Sequence, residues 1–139
     1  MEVAALNTAR WYHGAAAVGN VILVVGGGYY DEESRNDTPV SSVEALDLSA
    51  GGRWEEKAPM PTAREGLAVA ASGTKLFALG GLFASDTLEI YESATDSWSA
   101  AAPILTAREY LAAAIVGNTL FALCLLYTSP SPRDQRGSG

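Results

Sequence analysis

The sequence predicts an all-β protein built from repeated four-stranded antiparallel units. Three observations carry this. Thr-Ala-Arg occurs three times, at 8–10, 62–64 and 106–108. A Gly pair stands eighteen residues after each of the first two Thr, at Gly26-Gly27 and Gly80-Gly81. A Trp stands eight residues before the second and third Thr, at Trp54 and Trp98. Segments 62–79 and 106–123 also agree at twelve of eighteen positions, which fixes the repeat register. A unit of this kind cannot bury its apolar face alone and must stack on its neighbours.

The first strand of each unit reads as Gly14–Val18, Leu67–Ala71 and Leu111–Val116. These runs are rich in Ala and low in bulk, which suits the narrow inner end of a radial blade. Two-residue connections follow at Gly19-Asn20 and Gly117-Asn118, where a leading Gly favours a type II′ turn. Second strands are Val21–Val25, Leu76–Leu79 and Leu120–Leu123, apolar enough to be buried on both faces. Third strands, Val43–Leu48 and Leu88–Glu92, alternate polar with apolar residues. Fourth strands carry Trp54 and Trp98 and end at Ala58-Pro59 and Ala102-Pro103, where a missing N–H does little harm. The Thr-to-Thr periods are 54 and 44 residues. Nine of the ten extra residues lie between Gly26-Gly27 and Val43-Glu44, and one precedes Trp54.

The Gly pair, the Trp and Pro-x-x-Thr-Ala-Arg at fixed offsets resemble kelch repeats over residues 1–123. Tyr91 matches the aromatic the family places in strand three, and Leu46 departs from it. The resemblance implies a kelch-type β-propeller fragment. Residues 1–7 fall at the end of a preceding blade's fourth strand. Residues 8–61 and 62–105 form full repeats, and 106–123 a partial one. At 124–125 a Gly pair is due, yet the chain reads Cys124-Leu125 and the agreement stops there. Residues 124–139 are therefore expected to be a non-native, disordered tail. For the start, two readings stand: upstream sequence is missing, or the first strand seals the ring against the last blade.

The resemblance implies a protein–protein interaction scaffold, such as a substrate adaptor, and no enzyme. The alternative is a fragment of a galactose-oxidase-like or sugar-epimerase propeller whose catalytic residues lie on other blades. In a meander, loops alternate between the two ends of a blade. The loops bearing Arg10, Arg64 and Arg108 therefore share a face with the long loop Gly28–Ser42, which holds Tyr29, Tyr30, Asp31, Glu32, Glu33, Arg35 and Asp37. Arg10, Arg64, Arg108, Tyr29, Tyr30 and Arg35 are the candidate partner-binding residues, because function rides on irregular loops of rigid scaffolds and Arg pairs well with carboxylates. The repeated Arg also admits a structural role, fixing its loop or bridging blades through Glu65 and Glu109. Trp54 and Trp98 read as core between blades.

The remaining composition excludes several chemistries. The net charge is −7, with no Lys/Arg run, so no nucleic-acid partner is expected. No eighteen-residue apolar run exists, so no membrane-spanning helix is expected. His13 is the one histidine, too few for a His metal cluster or a repeated triad, and Leu67 and Leu111 at its repeat positions argue for a partly buried ring. Gly26-Gly27-Gly28 lacks the spacing and the Lys of a nucleotide loop. No cofactor and no metal are implied. The single Cys124 excludes an internal disulfide framework and is compatible with an intracellular, cytoplasmic setting.

Overall fold

A computed structural model describes residues 5–82, 86–104 and 111–124, and every regular element among them is a strand. The first blade is the sheet β1 (Gly14–Val18), β2 (Val21–Val25), β5 (Val43–Asp47) and β6 (Trp54–Lys57), paired in that order. Between β2 and β5 a separate hairpin rises, β3 (Gly28–Asp31) with β4 (Asn36–Pro39). The second blade is β7 (Ala68–Ser72), β8 (Lys75–Leu79), β9 (Leu88–Glu92) and β10 (Ser97–Ala100), again in sequence order. A two-stranded sheet of β11 (Leu111–Val116) and β12 (Thr119–Cys124) repeats the opening of a blade. All pairings are antiparallel. This is the four-stranded blade arrangement of a propeller.

Each blade strand given a range above falls within one residue of it. Gly19, Gly73 and Gly117 open the β1–β2, β7–β8 and β11–β12 turns with φ near +60° (60°, 60° and 61°), while Asn20, Thr74 and Asn118 stay at negative φ, as a type II′ turn requires. The second blade's inner strand sits one residue later than its apolar run suggests, and β5 stops at Asp47, leaving Leu48 exposed. Asp47 accepts the Ser49 N–H and hydroxyl and so closes the strand into its turn.

Two apolar clusters hold the blades together. The first joins Leu23, Val25 and Val43 of one blade to Leu67, Leu76 and Tyr91 of the next, with Met60 between. The second seats Ala113, Leu120 and Ala122 against Ala68 and Leu79. The Ala-rich inner strands allow close approach: the missing side chain of Gly14 leaves room for Val69, whose methyls would lie 2.7 and 3.0 Å from a Cβ there. Trp98 packs partly buried on the first cluster, 5.2 Å from the Tyr91 ring, and donates its indole N–H to Ala58 O across the blade boundary. Asp96 completes that seam by accepting from Ala58 N–H and Tyr91 O–H. These bonds, the backbone one first, hold its carboxyl below the ordinary range. Burial and then the Asp96 bond push the Tyr91 phenol well up. Trp54 is partly buried too.

Residues 28–42 correct the expectation of an irregular loop. Tyr29 pairs with Thr38 and Tyr30 with Asp37, so the insert is an ordered hairpin. Its turn carries no Gly; Arg35 takes the left-handed conformation at φ 59°, and Asp31 accepts from Arg35 N–H with its carbonyl and from Glu33 N–H with its carboxylate. Residues 125–139, most of the expected non-native tail, lie outside the described residues, and β12 itself runs through Cys124.

Candidate partner-binding face

One end of the first two blades gathers the loops that precede β1 and β7 and those that follow β2 and β8. Gly27 N–H donates to Arg64 O and Gly66 N–H to Tyr12 O, which stitches consecutive blades together at this end, while Leu82 N–H donates to Glu65 O within the second blade. The Gly pairs make this possible. Gly27 has φ 99° and Gly81 φ 105°, and a Cβ on either would lie 2.7 or 2.8 Å from a carbonyl oxygen, Trp11 O or Glu65 O.

The repeated arginines lie beneath this face and not on it. The Arg64 side chain is 0% exposed. One of its terminal nitrogens donates to Gly80 O and Thr87 O; the other donates to Ala78 O and to Glu89 Oε1 at 2.8 Å. The first blade repeats the motif: Arg10 donates to Gly26 O, Ser42 O and, at 2.6 Å, Glu44 Oε2, with its side chain 1% exposed. Glu44 also accepts from the N–H groups of Asn7 and Thr8, and Glu89 from the Thr62 hydroxyl. This corrects the expectation that Arg10 and Arg64 contact a partner: each charge is buried and used within its own repeat. It also corrects the expected acids. Glu65 instead accepts the Trp11 indole N–H, while Glu109 and Arg108 lie outside the described residues.

Glu44 and Glu89 are the residues that sequence reasoning missed. Strand alternation places their carboxylates toward solvent, yet both are almost fully buried. Their common offset in the repeat, one residue into the third strand, was the available signal: a carboxylate and an Arg that recur together belong together.

What the face does expose is aromatic. Trp11 and Gly28 exchange both backbone hydrogen bonds, so the segment carrying Trp11 and Tyr12 lies along the insert hairpin beside Tyr29 and Tyr30. All four rings are exposed. Arg35 is exposed at the hairpin tip with Glu32 and Glu33. The Ser34 hydroxyl, then the Glu33 N–H, holds the Asp31 carboxyl below its usual range, so it is ionised at neutral pH. His13 stands exposed, unlike the buried Leu67 at its repeat position, which corrects the expectation of a partly buried ring. Partial desolvation and the nearby Arg10 charge lower its pKa, which keeps it neutral at pH 7. Among the described residues no group of three or more His, Cys, Asp and Glu is placed to hold a metal ion.

The family model described as Kelch motif matches residues 9–61 and 63–104. Beta-scruin of Limulus polyphemus is 35% identical over 82 residues, covering 58% of this chain and 8% of that protein. Kelch-like protein terF of Aspergillus terreus is 37% identical over 86 residues, covering 62% of this chain and 18% of that protein. The chain thus spans under a fifth of the length of these curated relatives.

Proposed function

The chain belongs to the kelch-repeat family, and from that premise we propose that it is a non-catalytic scaffold that binds a protein or peptide, in the manner of a substrate adaptor. Kelch repeats are commonly protein-interaction scaffolds. The observation that supports the reading here is the pairing of a rigid base with an exposed aromatic surface. Buried Arg–Glu pairs fix the loops, and the insert hairpin presents Tyr29 and Tyr30 to solvent at 39% and 45% exposure. Tyr offers large contact area at little conformational cost, which is why it dominates binding surfaces.

Panning a displayed random peptide library on the chain tests this. Pool binding is expected to fall about tenfold or more in Tyr29→Ala/Tyr30→Ala, the scale of a lost aromatic anchor. It is expected to hold in Leu48→Ala, an equally exposed apolar side chain beside the Asn20 turn at the opposite end. Unchanged binding in the double Tyr variant, with its melting curve intact, removes the reading.

A further inference from the structure

We propose that this face selects a cationic partner, a peptide segment bearing Arg or Lys, and that the aromatic hairpin and its carboxylates form the selecting surface. The inference rests on the binding role above and adds the chemistry of the ligand.

Two independent features point the same way. First, aromatics concentrate at one end: among the described residues, every exposed large aromatic other than Phe121 is Trp11, Tyr12, Tyr29 or Tyr30. The face of an aromatic ring is negative and attracts an ammonium or guanidinium group. Second, the charge left on this end among the described residues is acidic. The positive charges of Arg10 and Arg64 are neutralised below the surface by Glu44 and Glu89, so they offer a ligand nothing. Hairpin residues 28–39 carry Asp31, Glu32, Glu33 and Asp37 against Arg35 alone, four negative charges to one positive. The last three of those acids are exposed, and a neutral His13 adds no positive charge. An acidic peptide would meet a like-charged surface with Arg35 as its one free guanidinium among the described residues. A basic one would meet ring faces for its side chains and carboxylates for charge-assisted hydrogen bonds.

The composition of the peptides recovered by panning decides the matter. The expected pool is enriched in Arg and Lys. Individual peptides are expected to lose affinity about tenfold when their basic residues become Gln, and to weaken further at high salt. Glu32→Lys/Glu33→Lys, at exposed turn positions, is expected to abolish the enrichment while leaving the melting temperature unchanged. A pool rich in Asp and Glu, or one without charge bias, overturns the cation preference and leaves the scaffold role standing provided Tyr29→Ala/Tyr30→Ala still removes binding. An enrichment that survives the charge reversal overturns it as well. Recovery of no peptide by a chain that melts cooperatively removes both.

Discussion

Arg64 carries the residue-scale lesson. A guanidinium with no solvent exposure is tolerated because four acceptors surround it: Gly80 O, Thr87 O, Ala78 O and Glu89 Oε1. Its Nε is left without a partner among the described residues. Glu89 supplies the countercharge, so removing Glu89 alone strands a buried cation. Glu89→Ala is expected to lower stability by about 3–5 kcal/mol, the range for breaking a buried pair. Glu89→Gln keeps an acceptor for Thr62 and Arg64 and is expected to cost less. Arg64→Met/Glu89→Leu removes both charges and is expected to be better than the sum of its single changes, but short of the parent. The three carbonyls that Arg64 served would then each lose a donor. Urea titration of the parent, Arg64→Met, Glu89→Leu and the double variant measures the coupling. Strict additivity would mean that the two side chains do not interact in solution.

At the scale of the element, the blade strands were legible and the insert was not, for a physical reason. Strands β1, β2, β9 and β11 fall on the expected residues because apolar periodicity and the repeat register reinforce each other. Insert strands β3 and β4 read Gly-Tyr-Tyr-Asp and Asn-Asp-Thr-Pro, with no buried face to impose a period and no Asn-Gly or Asp-Gly turn between them. Their order comes from the backbone of Trp11 and from the Asp31 bonds across the turn, which leave no trace in hydropathy. The site was half legible: Tyr29, Tyr30 and Arg35 are on the exposed face, while Arg10 and Arg64 are beneath it. A repeated Arg reads the same whether it faces a partner or its own Glu, and burial alone separates the two. The Gly pairs, by contrast, were read for their position before their cause was visible. Gly19 and Gly27 both hold positive φ, 60° and 99°; nothing stands within 4 Å of a Cβ at Gly19, whereas Trp11 O lies 2.7 Å from one at Gly27. Gly19→Ala is therefore expected to cost only the backbone term of about 1–2 kcal/mol. Gly27→Ala is expected to cost clearly more, since it also pushes the Trp11 segment off the hairpin. Thermal melts of the two variants compare them, and a smaller loss at Gly27 would disprove the packing account.

For the whole molecule, each blade presents one face to the next, and that face can be followed through the chain. Leu23 on β2, Phe77 on β8 and Phe121 on β12 occupy the same repeat position. Leu23 is 2% exposed within the first cluster, Phe77 is partly buried, and Phe121 is 46% exposed. Val116 and Leu123 share its side of the β11–β12 sheet and are more exposed still. Among the described residues β12 also has one strand neighbour, where β2 and β8 each have two. An apolar face beside an unpaired strand edge is a template for association. The 139-residue chain is therefore expected to self-associate through this end as concentration rises. Phe121→Lys/Leu123→Lys is expected to shift it toward monomer without changing the β-sheet signal, because both side chains point away from the cluster that seats β12 on the second blade. Sedimentation across a concentration series reads the outcome. Equal association in parent and variant would place the contact elsewhere, with the aromatic hairpin at the other exposed apolar site the next surface to test.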